Sequence, residues 1–281
     1  MIELLKKHRN ELHRRFNQEY VLNAVRNRKG HRPIQANNPR GDLILASYNV
    51  HKCVGIDKVF NPTRVIEVIR ELNADVLALQ EADKRFGERI GLIDLDRLKQ
   101  QTGLTHVPIK AMSKQGLGWH GNALFIKNGE IGDIRQIRLP GMEPRGALIV
   151  DFAFVSGHLR VVAAHFGLLR RSRSLQAKTI RSLLENLKPM PTILTGDLNE
   201  WRVGKRSSLA TLAPYFNLRL GTVPSFPSRF PVLALDRIFA FPSNLVTSIE
   251  THISPLSRIA SDHLPIKARI DLAGAEETMR Y

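Results

Sequence analysis

Two periods of apolar positions alternate along the chain. LILASYNV (43–50), ADVLALQEAD (74–83), GNALFIKNG (121–129), RGALIVDFAFVSG (145–157), HLRVVAAHFG (158–167), PTILTGDLN (191–199), LALDRIFAF (233–241) and LPIKARIDL (264–272) are apolar runs of strand length, bounded by Gly, Pro, Asn or Asp. Ser156-Gly157 joins two of them as a hairpin. Three other stretches have helical spacing. NPTRVIEVIREL (61–72) offers Asn61 as N-cap, Pro62 at the first helical position, and Val65, Ile66, Ile69 and Leu72 on one face. IDLDRLKQQTG (93–103) closes on Gly103. RSLQAKTIRSLLENLK (173–188) places Ile180, Leu183, Leu184 and Leu187 on one side. Strand and helix order is mixed, with hairpin-like pairs, which predicts an α/β chain of two packed sheets flanked by helices and not a purely parallel doubly wound sheet.

Residues 1–40 differ from the rest. LLKKHRNELHRRFNQEYVLNAV spaces Leu5, Leu12 and Phe16 near a helical period amid Lys6, Lys7, Arg9, Arg14 and Arg15. The segment carries ten Lys or Arg against three Glu. It is expected to be a basic amphipathic arm, followed by one domain at 41–273 and a tail at 274–281. The whole chain of 281 residues has 42 Lys or Arg against 26 Asp or Glu, a net charge of +16. Such a charge favours polyanionic partners, namely nucleic acid, an anionic membrane surface or a phosphorylated substrate, and says nothing about fold. Cys53 is the single cysteine, so no intramolecular disulfide forms and a reducing compartment fits. No apolar run approaches the ~20 residues that span a bilayer, and charges occupy the N-terminal stretch where a signal peptide is apolar. The expectation is a cytoplasmic monomer, peripheral at a membrane if the arm docks there.

The strand ends carry the chemistry. Asn49, Glu81, His165 and Asp197 each terminate an apolar run, Asn199 follows two residues after Asp197, Asp236 lies inside LALDRIFAF, and Asp262-His263 precede the last strand. Residues i and i+2 of an extended segment share a side, so Asp197 and Asn199 can face one site. A carboxylate within a buried run needs a partner, and His263 is available to Asp236. Glu81, Asn49 and Asp262 are hard oxygen donors suited to Mg²⁺, which takes one or two carboxylates and keeps several waters; no Cys/His cluster has zinc spacing. His263 is a candidate proton carrier or charge stabiliser oriented by Asp236. Asp197 is a candidate to orient or deprotonate a water, with His165 and Asn199 as donors to developing negative charge. Neither a GxSxG elbow nor a GxxxxGK[ST] loop is present, which disfavours serine acyl transfer and nucleotide-triphosphate binding.

Taken in order, SYNVH, LALQEAD, GNALF, AAHFG, LTGDLNEW, LDRIF and SDHLP resemble the motif series of the endonuclease/exonuclease/phosphatase superfamily across about residues 42–272. The run NVHK, QEAD, GDLNEW is most similar to uncharacterised bacterial members. The resemblance implies a four-layer α/β/β/α sandwich and a Mg²⁺-dependent phosphoesterase, with Mn²⁺ as a substitute. Carried over by position, Asn49 and Glu81 hold the metal with Asp262 in support, Asp197 activates water with help from Asn199, His165 contacts the scissile phosphate, and His263 pairs with Asp236. Apurinic endonucleases usually carry an Asp two residues after the first Asn, where this chain has His51 and then Lys52, and a Tyr near the place of His165. A His at that place resembles the sphingomyelinase and phosphatase branches more. The substrate stays open among nucleic acid, phospholipid and other phosphate esters. The alternative function is a non-catalytic polyanion-binding protein on the same fold, which should lack part of the set.

Outside those motifs, Asn122 in GWHGNALF and Arg145 before its strand are candidate phosphate contacts. Arg170, Arg171 and Arg173 follow His165 and are candidates for a phosphate-attracting rim at the cleft mouth, with Lys205-Arg206 as a weaker pair. Trp201 reads as packing, and Cys53 as a small buried residue.

Overall fold

The computed structural model describes residues 43–84, 89–218 and 222–279; the basic arm expected at 1–40 lies outside the described residues. The strands form two sheets. The first contains β1 (Leu43–Asn49), β2 (Val76–Gln80), β3 (Thr105–His106), β4 (Ala123–Ile126), β10 (Val246–Thr251) and β11 (Ile266–Ile270), numbered in chain order and arranged β10-β11-β1-β2-β4-β3. The second runs β5 (Glu130–Leu139), β6 (Arg145–Phe154), β7 (Gly157–Ala164), β8 (Thr192–Asp197) and β9 (Asp236–Phe241) in sequence order. Each sheet contains one parallel pair, β1 with β2 and β7 with β8, and is antiparallel elsewhere. Parallel neighbours require a crossover, and the helices α1 (Pro62–Leu72) and α3 (Arg170–Glu185) supply them; α2 (Leu95–Thr102) follows β2.

Local signals place these helices. The Asn61 side chain accepts from the Arg64 backbone N–H at 2.9 Å, Pro62 opens α1, and Val65, Ile66, Val68, Ile69 and Leu72 are buried. Asp94 caps α2 through the Arg97 N–H at 3.0 Å, and Gly103 ends it at φ +76. The apolar stripes bury against opposite outer faces of the sheets. Val65, Ile66 and Ile69 pack on Ala46, Tyr48, Leu77 and Leu79, while Ala177, Ile180 and Leu184 pack on Ala147, Val162, Leu194 and Phe239. Between the sheets lies the central core of Leu45, Val76, Leu124, Phe152, Val161, Ile193 and Ile266. The result is a four-layer α/β/β/α sandwich. Truncating Ile180 or Leu184 to Ala would cost about 2–5 kcal/mol, the usual range for a large buried aliphatic side chain.

Several boundaries differ from those read in the sequence. Strand β9 begins at Asp236, because Leu233 instead bonds the Phe226 segment at 2.8–3.0 Å. α3 begins at Arg170 and stops at Glu185. The edge strands β5 and β10 and the short β3 were not anticipated. The tail expected from 274 is, through Met279, part of a short helix (Leu272–Met279): Leu272 and Ala275 enter the central core, and Glu276 accepts from the His158 N–H at 2.6 Å. Among the described residues no helix is long and apolar enough to cross a membrane.

One position in β8 has no freedom. Gly196 has φ +135, and a Cβ there would lie 1.9 Å from the Ala164 carbonyl oxygen of neighbouring β7. Gly196→Ala is therefore expected to destabilise the protein by roughly 3 kcal/mol or more through combined strain and overlap. Urea unfolding would measure it, and an unchanged midpoint would show that β7 and β8 can separate at this point.

Candidate active site

Strand parity delivers the polar residues. Ala46 and Tyr48 of β1 face α1, so Leu45, Ser47 and Asn49 face the opposite sheet. Leu194 and Leu198 face α3, which turns Ile193, Thr195 and Asp197 inward. Val161 and Ala163 of β7 point inward, and His165 follows in step. In β9, Ile238 points inward with Asp236, whereas Phe239 points out. The inward rows start apolar in the core and turn polar toward one end, through Ser47 to Asn49 and Thr195 to Asp197, so the core gives way to a polar cluster at one edge of the two sheets.

The contacts within that cluster are short. Asn49 Nδ2 donates to Asp197 Oδ2 at 3.0 Å, across the gap between the sheets. His165 Nε2 lies 3.4 Å and His263 Nε2 3.8 Å from the same oxygen. His263 Nδ1 is 2.8 Å from Asp236 Oδ2, which also accepts from the Ser225 hydroxyl, and the Phe226 ring lies 4.9 Å from the imidazole. Asp197 Oδ1 accepts the Asn199 N–H at 3.0 Å, while the Asn199 side-chain amide donates to the Phe166 carbonyl at 3.0 Å and ties the two loops together. Ser261 donates to the Asn49 carbonyl at 2.7 Å, which docks the Ser261-Asp262-His263 turn beside β1. Asp262 is at the rim, its Oδ1 3.7 Å from His51 Nδ1. Glu81 lines a depression together with His165, with the Lys52 ammonium on its Oε2.

Burial and neighbouring charge drive the two histidines apart. Burial disfavours an imidazolium at His263, but Asp236, Asp197 and Asp262 outweigh it and raise the ring well above the ordinary histidine range. Burial lowers His165, and Arg145 lowers it further, so that ring is neutral. Arg145 Nη1 is 2.9 Å from both His165 ring nitrogens, which puts the guanidinium over the ring face. Burial pushes Asp197 up, against the pull of His263 and with the repulsion of Asp236, so it sits above ordinary carboxylates. Burial also pushes Glu81 up, yet His165, Lys52 and His51 bring it down to about 2. Since His165 is itself neutral, Lys52 is the principal cation holding Glu81 ionised at neutral pH.

The model of the family described as "Endonuclease/Exonuclease/phosphatase family" matches residues 46–263, from within β1 to His263. The chain belongs to this endonuclease/exonuclease/phosphatase family. It is 32% identical over 165 residues to the uncharacterised protein YbhP of Escherichia coli K12, a match covering 55% of this chain and 64% of that protein, so the chain spans just under two thirds of the curated relative. An endonuclease/exonuclease/phosphatase from Beutenbergia cavernae superposes with TM-score 0.60 at 21% identity, over 84% of this chain and 73% of that one. A mannosyl-6-phosphatase from Bacteroides thetaiotaomicron does so with TM-score 0.60 at 18% identity, over 82% and 100% respectively. The structural likenesses show the shared fold.

Family members typically use divalent metals, and the donors of this chain fit one. Glu81 is an ionised carboxylate that already attracts a cation, Lys52. Asn49 Oδ1 accepts the His51 N–H at 3.0 Å and retains a second lone pair. Among the described residues no three His, Cys, Asp or Glu side chains form a closed metal cage; a hard cation that keeps most of its waters does not need one.

The outlying candidates fare differently. Arg145 is buried against His165 and also holds Glu143 at 2.8 Å. Asn122 is fully buried and donates to the Trp119 and Gly146 carbonyls at 3.1 Å, so it braces a loop and does not reach into open cleft. Arg170 and Arg171 are exposed on the first turn of α3, with Arg170 Nη2 3.5 Å from the Arg206 carbonyl. Arg173 requires correction: it is not at the cleft mouth but 1% exposed, donating to Leu168 O at 2.5 Å and Ser208 Oγ at 3.1 Å, with Nη2 3.5 Å from Glu200. Arg237 Nη2 donates to the Glu200 carbonyl at 2.8 Å, so buried Arg173, Glu200 and Arg237 together brace the loops after His165 and Asp197. Sequence reasoning also missed Ser225, the second partner of Asp236; a serine in a loop eleven residues upstream carries no local signal.

The charge on His263 is testable by itself. In metal-free protein its ring is expected to stay protonated at neutral pH, and Asp236→Asn should move its titration midpoint down by at least ~1 unit, since burial then acts with less opposition. NMR titration of the histidine ring protons measures this. A wild-type ring that is neutral at pH 7 would remove the imidazolium from the site.

Proposed function

We propose that the chain is a divalent-metal-dependent phosphoesterase that attacks phosphorus with water, cleaving phosphodiesters. The observation that carries this reading is the cross-sheet convergence of Asn49, Asp197, His263 and Asp236 beside Glu81 and His165. Asp197, lifted by burial yet ionised at neutral pH, is the proton acceptor for the attacking water, a role favoured by a pKa near the working pH. Its geometry is fixed by Asn49 on one oxygen and the Asn199 N–H on the other. The His263 imidazolium, oriented by Asp236, donates to the charge that develops on the phosphoryl oxygens, and neutral His165 adds a second donor. Glu81 and Asn49 would hold Mg²⁺ or Mn²⁺ with Asp262 at the rim, and the ion would supply Lewis-acid polarisation of the phosphoryl group. A non-catalytic polyanion binder would not need two buried carboxylates opposite each other around an imidazolium.

The nature of the relatives supports the same chemistry: a family named for endonucleases, exonucleases and phosphatases, and a fold neighbour that is a mannosyl-6-phosphatase. Asp197→Asn or His263→Gln is expected to lower kcat on bis(p-nitrophenyl) phosphate by about 10²–10⁴-fold, the worth of a positioned proton-transfer group, with a smaller change in KM. Excess chelator should abolish turnover and added Mg²⁺ or Mn²⁺ restore it. Full activity in chelator, or in either folded variant, would sink this mechanism. A panel of DNA, RNA, sphingomyelin, other phospholipids and inositol phosphates then assigns the natural substrate.

The basic arm extends the proposal to location: a cytoplasmic enzyme, acting as a monomer, docked by residues 1–40 on a polyanionic surface. Each basic residue near an anionic membrane contributes about 1 kcal/mol, and each neutralised DNA phosphate steepens the log–log salt dependence by roughly one unit. Deleting 1–40 is expected to weaken binding to anionic vesicles or to DNA, while small-diester turnover persists. Unaltered binding to both surfaces would end the docking idea.

A further inference from the structure

Beside the cleft, large apolar side chains stand in water on turns that are themselves tied down. Phe230 is 78% exposed, Phe60 55%, Val59 51% and Ile259 42%. They belong to three segments far apart in the chain that hydrogen bonds bring together. The Ile56 N–H donates to the Ile259 carbonyl at 3.0 Å, which lays the loop after β1 on the short helix Ser257–Ala260. Arg258 Nη1 donates to the Arg229 carbonyl at 2.6 Å, the Ser228 hydroxyl to the Arg258 carbonyl at 3.1 Å and the Ser228 N–H to the Asp262 carbonyl at 2.8 Å. These bonds fasten the loop before β9 to the same helix. The joined segments form a lip of the candidate active site, since Phe226 of that loop lies beside His263 and Asp262 faces His51. Their turns are closed. Lys58 adopts φ +64, with its N–H on the Gly55 carbonyl at 2.9 Å and the Gly55 N–H on the Val59 carbonyl at 3.0 Å. The Phe230 N–H donates to the Pro227 carbonyl at 3.1 Å, and the Leu233 N–H to the Phe226 carbonyl at 2.8 Å. Hydrogen-bonded backbone therefore presents these apolar side chains to solvent.

Positive charge follows the same segments. Residues 55–60, 228–230 and 257–262 contain Lys58, Arg229 and Arg258 against Asp57 and Asp262. Both acids are engaged, Asp57 by two bonds from Arg64 at 2.6 and 3.0 Å and Asp262 by His51 at 3.7 Å, while Lys58 and Arg229 are exposed. Single exposed apolar residues are ordinary, but several on one stretch of surface, interleaved with cations, mark an interaction site. A nucleic acid would use the cations and could stack on the two phenylalanines, yet it leaves Val59 and Ile259 without a partner. An anionic bilayer uses both sets: loop-tip side chains enter the boundary between headgroups and acyl chains without needing a complementary shape, and the cations meet the anionic heads. We propose that this lip docks the protein on an anionic lipid surface, with Phe60 and Phe230 inserted and Lys58, Arg229 and Arg258 on the headgroups. None of these residues belongs to the basic arm, and the docking does not depend on the phosphoesterase reading.

Site-specific fluorescence tests this in the full-length protein. Cys53 is buried, so Phe60→Cys or Phe230→Cys takes an environment-sensitive fluorophore selectively. Val155→Cys, on the exposed turn between β6 and β7 at the end of β7 away from His165, is the control. On phosphatidylcholine vesicles containing phosphatidylserine, emission from positions 60 and 230 is expected to shift to the blue while that from 155 stays as in water. Without phosphatidylserine the shifts should be largely lost. Phe60→Ser with Phe230→Ser is expected to lower the vesicle partition coefficient by about tenfold or more, the effect of withdrawing two large apolar side chains from the interface, and Val155→Ser to leave it unchanged. Lys58→Gln with Arg229→Gln should also lower it and flatten its salt dependence. Labels at 60 and 230 that stay in water on vesicles which capture the protein overturn the proposal and place docking elsewhere on the chain. Absence of vesicle binding, or equal partitioning by the double serine variant, overturns it as well. Shifts produced by an oligonucleotide, or by raising the protein concentration, but not by vesicles would assign the lip to nucleic acid or to a second copy of the chain and overturn the lipid surface.

Discussion

Asp197 and Asp236 stand directly opposite each other on β8 and β9, both almost fully buried. Two buried carboxylates in neighbouring ladder positions repel, and neither has water to screen it. The arrangement persists only because a cation and several donors converge there. His263 reaches both, at 2.8 Å from Asp236 and 3.8 Å from Asp197, while Asn49 and Ser225 add neutral donors. The partners come from three separate stretches of chain, one of them a strand of the opposite sheet. Satisfying this one carboxylate pair therefore fixes how β1, β8, β9 and the turn before β11 meet at the open edge of the sandwich.

The two βαβ units make the same delivery twice. β1–α1–β2 ends in Asn49 and Glu81, and β7–α3–β8 ends in His165 and Asp197, so the carboxyl ends of both parallel pairs point at one cleft, as ligand-binding ends of parallel strands commonly do. The turns that follow are strained. His51, Lys52, Cys53, Glu81 and Asn199 all have φ between +45 and +57 without being glycine, each costing on the order of 1–3 kcal/mol. The left-handed run at 51–53 is what brings Lys52 onto Glu81 and His51 to Asp262. Strain concentrated beside the carboxylates is the mark of a site held in place by the surrounding packing.

What was legible in the sequence had a local cause. Asn61-Pro62 and Gly103 announced helix ends, and alternation in β1, β7 and β8 announced which residue would end each inward row. The unread parts lacked such causes. β5 is a half-exposed edge strand whose bulge between Ile131 and Ile134 breaks the alternation in EIGDIRQIRL, and β10 mixes Thr, Ser and Glu into an edge. Arg173 looked like a solvated rim charge because its acidic partner Glu200 is 27 residues away. Lys52 was visible as a departure from the apurinic-endonuclease pattern, but its partner is Glu81, 29 residues on, and only the folded chain shows that the departure supplies a cation to a candidate metal ligand.

The division of labour at the site follows from environment and not from residue type. His165 and His263 are both buried, and burial alone would make both neutral. Arg145 lies over one, which reinforces neutrality, whereas three aspartates surround the other and reverse it. Asp197 then faces a neutral imidazole at 3.4 Å and an imidazolium at 3.8 Å. That asymmetry allows one carboxylate to accept a proton while a neighbouring ring remains an acid, the separation of roles on which acid–base chemistry in a single cleft depends. Exchanging the two surroundings would leave the same residues in place with no proton acceptor and no donor in the right positions, so the arginine on β6 and the aspartate on β9 are as much a part of the chemistry as the histidines they govern.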